Sequence, residues 1–284
     1  MAASINTFSG IVELICEANT LNDHLLTCNH LTSAESQQNY EVCKARCSKL
    51  KEKTEQLNLK TSNDEDAKSI LEEYAQIVLD VTYIDENQLV EDDFPEQTAN
   101  TRIRNVLNHI DNILLVAKKT FPNLQPTDCL GVEIMEVILW RKGALLYMYC
   151  HQVIPDKERL KRNVMEIKQI LYDGISYLRQ MLDVRKPDCQ QLSDLELHVN
   201  DTLQLIKSGI YTDTHLLALM YCGEMCYWYV QAVRDGLFDL SPEFAVKDIG
   251  SRVLKSYIKA VQGPLKGAGW TCDRAEELLA VIVS

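Results

Sequence analysis

Residues 156–183 read DKERLKRNVMEIKQILYDGISYLRQMLD. Leu160, Val164, Ile167, Leu171, Ile175, Leu178 and Leu182 recur there at steps of four and three. On a helix of 3.6 residues per turn that spacing draws one apolar stripe. Pro155 precedes the stretch and Pro187 follows it, and proline bounds helices because it lacks an N–H and crowds the preceding turn. One long helix is expected here. Working outward, Val246, Ile249, Val253, Tyr257 and Val261 form a second stripe that ends at Gly263-Pro264. Thr127 can cap a helix running to about His151, and Ser193 with Glu196 makes a capping box for a helix to about Lys207. Asp213 can accept from the first free amides of a helix through Ala232, and Thr271 starts a short last helix. Further helices are placed near 9–27, 37–58, 64–84 and 100–120. Neither an alternating strand, nor an Asn-Gly hairpin turn, nor a fixed-period repeat is present in the sequence. The expected fold is all-α, a single helical array or irregular bundle of about nine helices. Residues 1–62 are expected to form an N-terminal helical hairpin and 63–284 the main domain.

The composition narrows the partners. The chain has 284 residues, 46% hydrophobic and 25% charged, which suits a globular core. Its formal net charge is −12, so nucleic acid is a poor partner, because phosphate binding needs clustered Lys and Arg. A basic patch on another protein is what this charge steers toward. The start Met1-Ala2-Ala3-Ser4-Ile5-Asn6 lacks the basic and apolar regions of a secretory signal. Ten cysteines are dispersed over the chain rather than packed into a small scaffold, so reduced thiols in a cytosolic protein are expected.

Two helices are unusually apolar. From Leu216 to Val230 the only charge is Glu224. The run is shorter than the roughly 20 residues a bilayer needs and carries an acid at its midpoint, so it reads as a central core helix, not an integral membrane segment. The helix from Cys129 to Cys150 carries Arg141 and Lys142 near its middle. A buried charge needs a match, which makes an Arg141–Glu224 core ion pair one expectation. The other is that Arg141 reaches the surface along its aliphatic stem. Gly143, Gly174 and Gly223 lie mid-helix, where glycine costs about 0.5–1 kcal/mol relative to Ala; close approach of helix axes explains them.

Catalytic motifs are not found. There is no phosphate-binding G-x-x-x-x-G-K-[ST], no G-x-S-x-G elbow, no H-E-x-x-H and no G-x-G-x-x-G after a strand. Cys43/Cys47 and Cys222/Cys226 are pairs four apart, and His215 shares a face with the second pair. A structural zinc needs four ligands, usually from a turn or knuckle, so buried thiols are the expectation and no metal or cofactor is assigned. Cys150-His151 are neighbours about 100° apart on a helix and do not face each other. Tyr147, Tyr227 and Trp228 are read either as core filling or as the walls of a small-ligand pocket. The acidic stretch from Asp85 to Glu96 has no periodicity and sets Leu89 and Phe94 among Asp92 and Asp93. It is read either as a solvated loop with one anchoring aromatic or as a partner-binding loop, an apolar anchor in an acidic rim.

Longer strings carry a resemblance. They are Leu79-Asp80-Val81-Thr82-Tyr83 with Asp93-Phe94-Pro95-Glu96, then residues 140–151, WRKGALLYMYCH, and Asp173-Gly174-Ile175-Ser176-Tyr177-Leu178. His215-Leu216-Leu217-Ala218, Gly223-Glu224-Met225-Cys226-Tyr227-Trp228 and Gly263-Pro264-Leu265-Lys266 with Trp270 follow in order. Over roughly residues 70 to 270 the chain resembles the Rab-interacting subunit of the Mon–Ccz guanine-nucleotide-exchange complex. The resemblance implies a non-catalytic adaptor that binds the late-endosomal Rab GTPase (Rab seven) and the Mon–Ccz exchange complex. It further implies roles in delivery of membranes to lysosomes and in removal of damaged mitochondria, with recruitment to those membranes through partners. The alternatives are a structural subunit of the exchange complex without Rab contact, and a small-ligand carrier using the aromatic pocket.

Overall fold

A computed structural model describes residues 34–57, 64–185, 195–239 and 245–284. Ten helices and no strand occur among them. They are α1 (Ala34–Leu57), α2 (Asp64–Glu91), α3 (Ala99–Thr120), α4 (Pro126–Val153), α5 (Lys157–Arg162), α6 (Val164–Asp183), α7 (Leu195–Lys207), α8 (Asp213–Arg234), α9 (Val246–Gln262) and α10 (Asp273–Val283). The helix expected at 9–27, the domain boundary near residue 62 and the Ser193 cap lie outside the described residues. The chain divides into two compact units, residues 1–138 and 139–284, with the division inside α4.

In the first unit α1 lies on α2 through a narrow seam of Cys43, Cys47 and Leu50, all buried. Their spacing of four and three makes one stripe on an otherwise polar helix. Ion pairs Arg46–Asp80 and Lys53–Glu73 flank the seam. Both thiols are pushed up to about 11, chiefly by burial. α3 packs on α2 through Ile103, Val106, Ile110 and Ile113, and Asn112 donates to Tyr74 Oη at 3.3 Å.

The stretch expected to be one helix from 156 to 183 is two. Asp156 caps α5, its carboxylate accepting from the amides of Glu158 (3.1 Å) and Arg159 (3.0 Å). Asn163 then leaves helical geometry (φ −118°, ψ 25°), and its side-chain amide donates to the Arg159 carbonyl at 3.0 Å. Asparagine breaks helices this way, by offering the backbone a local partner. The stripe survives the break, because Ile167, Leu171, Ile175, Leu178 and Leu182 are all buried.

Within the second unit α8 is the central helix and packs against α6, α9 and α10. No described helix is long and apolar enough to cross a membrane. The mid-helix glycines sit where helices meet. A Cβ on Gly143 would lie 2.6 Å from Leu178 Cγ, and one on Gly223 would lie 2.6 Å from Leu254 Cγ. On Gly174 it would run into Met225. Gly250, not singled out from the sequence, does the same on α9, 2.8 Å from both Cys226 Cβ and Ile282 Cδ1.

Candidate functional site

The residues with most chemistry gather on the facing sides of α4 and α8. Trp140 and Tyr147 are seven apart on α4, and Tyr221 and Trp228 are seven apart on α8. Seven residues are nearly two turns, so each pair shares one face. The two faces interleave ring by ring. Trp140 stacks on Tyr221 (5.7 Å between centroids), Tyr221 on Tyr147 (3.7 Å) and Tyr147 on Trp228 (5.5 Å). His151 closes the row edge-on against Trp228 at 6.2 Å. The four stacked rings are half-buried, and His151 is exposed.

Glu224 lies on the same face of α8, between Tyr221 and Trp228. Tyr147 Oη donates to its Oε2 at 2.8 Å. Arg274, from α10, donates to Oε1 through Nη2 at 2.6 Å and Nε at 3.1 Å. The guanidinium also stands 5.7 Å from the centre of the Tyr227 ring. Arg274 thus meets Glu224, a cation that the sequence alone did not point to. Tyr147 is level with Glu224, and Arg141 stands six residues earlier on α4, about 9 Å along the axis at 1.5 Å per residue.

Burial, then the neighbouring Glu224 charge, pushes the Tyr147 phenol up. It stays protonated at neutral pH and acts as a donor. The hydrogen bond to Glu224 raises Arg274 further. Both oxygens of the carboxylate are thus occupied. The cluster holds rigid rings in register; it presents no nucleophile beside a base.

At the Trp228 end the row opens into a cavity of about 630 Å³. Ile167, Leu171, Ala232 and Phe238 form its buried apolar floor. Leu160, Trp228 and Leu237 form its walls, and Lys157, Lys161, Arg274 and Asp235 stand around it. Of the ligand-pocket residues expected from the sequence, Tyr227 and Trp228 line this cavity and Tyr147 belongs to the ring stack beside it.

The acidic stretch is mostly helix, and it does not expose Leu89 or Phe94 as an apolar anchor. α2 continues through it to Glu91, and Leu89 and Phe94 are buried. Phe94 N–H donates to the Leu89 carbonyl (3.0 Å) and Asp93 N–H to that of Val90 (3.1 Å), with Asp93 at φ 53°. That pattern is a Schellman helix end, in which an apolar pair customarily accompanies a left-handed residue. Asp92 pairs with Arg102 at 2.7 Å and accepts from Gln88 at 2.8 Å. The Arg102 bond holds its carboxyl below the usual range. Only Asp92 and Asp93 of the four residues remain exposed.

His215 is a capping residue. The N-cap of α8 is Thr212, not Asp213, and Thr212 N–H donates to His215 Nδ1 at 3.2 Å. The His215 ring stacks on Tyr211 at 4.3 Å. Among the described residues no group of three or more His, Cys, Asp and Glu is placed to hold a metal ion.

The charge is unevenly divided. Residues 1–138 hold 23 acidic and 11 basic side chains, a net −12; residues 139–284 hold 18 of each, a net of zero. The aromatic row belongs to the neutral half.

Residues 44–282 match the protein family described as RAB7A-interacting MON1-CCZ1 complex subunit 1. The chain belongs to this family. A relative of that name from Danio rerio is 36% identical over 217 residues, covering 75% of this chain and 78% of its own. The human protein of that name is 36% identical over 228 residues, covering 74% and 76%. The mouse protein is 33% identical over 297 aligned positions, covering 99% and 98%. No solved structure matches the chain.

Proposed function

We propose that the chain is a non-catalytic adaptor that binds a RAB7A-type GTPase and the MON1–CCZ1 complex. It would work from the cytosol in late-endosomal and lysosomal traffic and in the clearance of damaged mitochondria. The family match over residues 44–282, with relatives named for those two partners, carries the reading. The surface of the second unit is compatible with it. Trp, Tyr and Arg are the residue types that dominate binding energy at protein interfaces. Here they are held rigid by stacking and by Glu224, so little side-chain entropy is lost on docking. The net −12 of the first unit would steer a basic partner and speed encounter.

The test is titration of the purified chain with RAB7A carrying GDP, a GTP analogue or no nucleotide, each with and without MON1–CCZ1. Binding by the chain alone that differs between nucleotide states supports the adaptor. Binding that needs MON1–CCZ1 in every state assigns the chain to the complex as a structural subunit. Absence of binding in both formats removes the reading.

A further inference from the structure

We propose that the cavity beside Trp228 is a binding site for a single anionic amphiphile, its apolar body on Ile167, Leu171 and Phe238 and its acidic head at Lys157 and Lys161. The inference is independent of the adaptor reading and concerns a ligand, not a partner protein. Three observations carry it.

The first is volume. About 630 Å³ lies inside the range of roughly 300–1,000 Å³ typical of small-molecule sites. No single protein side chain fills that space, whereas one molecule with an apolar body has the size to do so.

The second is the floor. Ile167, Leu171, Ala232 and Phe238 are at most 7% exposed and come from α6, α8 and the turn after α8. Burying apolar ligand surface against them is favourable in proportion to the area removed from water.

The third is the rim. Lys157 is exposed and takes part in no ion pair among the described residues. Among the described residues Lys161 pairs with Glu158, at 3.1 Å and with both side chains more than half exposed. Such a pair contributes little and exchanges readily for an incoming anion. Asp235 is the single carboxylate of the lining among the described residues, and Arg274 is already engaged by Glu224. An anionic head therefore meets two available ammonium groups, whereas a cationic head would meet one carboxylate against three bases.

The same head-and-body chemistry could come from a free carboxylate or from a lipid in a membrane. The experiment separates them. The full chain is titrated with sodium dodecanoate below its micellar range by calorimetry, with dodecanol as the uncharged control. Phosphatidylcholine vesicles with and without phosphatidylserine form a second arm. Lys157→Glu/Lys161→Glu removes the head site at exposed positions, and Ala232→Phe fills the floor; circular dichroism checks the fold of each. The expected result is one dodecanoate per chain, weakened about tenfold or more by the lysine reversal, with dodecanol weaker than dodecanoate by a similar factor. If vesicle binding needs phosphatidylserine and is lost in the lysine variant, the source is membrane lipid. If dodecanoate binds and vesicles do not, the source is a free amphiphile. Absence of saturable dodecanoate binding overturns the proposal, as does binding indifferent to the lysine reversal or equal for dodecanol. Loss of MON1–CCZ1 binding in the lysine variant, without any dodecanoate binding, also overturns it and makes the cavity a protein-docking groove.

Discussion

Gly223→Ala tests the packing that holds the aromatic row in place. The added methyl would stand 2.6 Å from Leu254 Cγ, and Leu254 is fully buried. Two effects oppose each other. Replacing a mid-helix glycine removes a conformational cost of about 0.5–1 kcal/mol. Forcing a methyl into a filled interface costs about 1–3 kcal/mol, because a branched side chain with its Cγ in the way has to shift with its backbone. The second effect wins, for a net loss of about 0.5–2 kcal/mol. Equilibrium denaturation of the variant, followed by far-ultraviolet circular dichroism, reads the change. In a Leu254→Ala background the obstruction is gone and the sign should reverse, so that Gly223→Ala stabilises. Gly174→Ala should be milder, since its nearest atoms are the thioether end of Met225. A Gly223→Ala chain more stable than the parent by the full helix gain would refute close contact between α8 and α9.

Phe94→Ala should cost about 3–5 kcal/mol, as expected of a buried aromatic at 3% exposure and not of a surface anchor; a near-neutral change in thermal unfolding would restore the partner-loop reading. Asp93→Gly should add about 0.5–1 kcal/mol by relieving φ 53°, read by the same melt. Arg102→Ala should cost no more than about 0.5 kcal/mol near neutrality, since the pair is about one-third exposed. Its sign with pH follows from the lowered Asp92 value. The contribution is full above the unfolded carboxylate pKa of about 3.9 and fades as pH falls through the folded one, so the variant should lose less stability on acidification. With iodoacetamide at pH 8, half-buried Cys272 should label before Cys43 and Cys47, whose thiols are pushed up to about 11; rapid labelling of those two by peptide mass spectrometry would mean that α1 does not stay on α2.

The helical class, the central role of α8 and the close approaches at Gly143, Gly174 and Gly223 were legible because each rests on local pattern. Apolar periodicity and the cost of glycine inside a helix need no knowledge of neighbours. The break at Asn163 was missed because Leu160 and Val164 keep the stripe in step on either side of it. The Schellman end of α2 was missed although its spacing is visible: Leu89 and Phe94 are five apart with an aspartate just before the phenylalanine. Arg274 could not have been assigned to Glu224, since fifty residues separate them and only the packing of α10 on α8 unites them. Tyr147, Tyr227 and Trp228 were singled out as aromatic, but interleaving of two faces seven residues in period emerges only when α4 and α8 lie side by side. The lysines of the cavity rim look like ordinary solvated residues in sequence, because nothing local marks the apolar floor beneath them.

The adaptor reading is tested most directly by the affinity of RAB7A for MON1–CCZ1, measured by fluorescence anisotropy with and without the chain. An adaptor that contacts both should tighten the association by about tenfold, equivalent to about 1.4 kcal/mol of coupling, and Trp228→Ala should diminish the gain. An affinity unchanged by saturating amounts of the chain would contradict it.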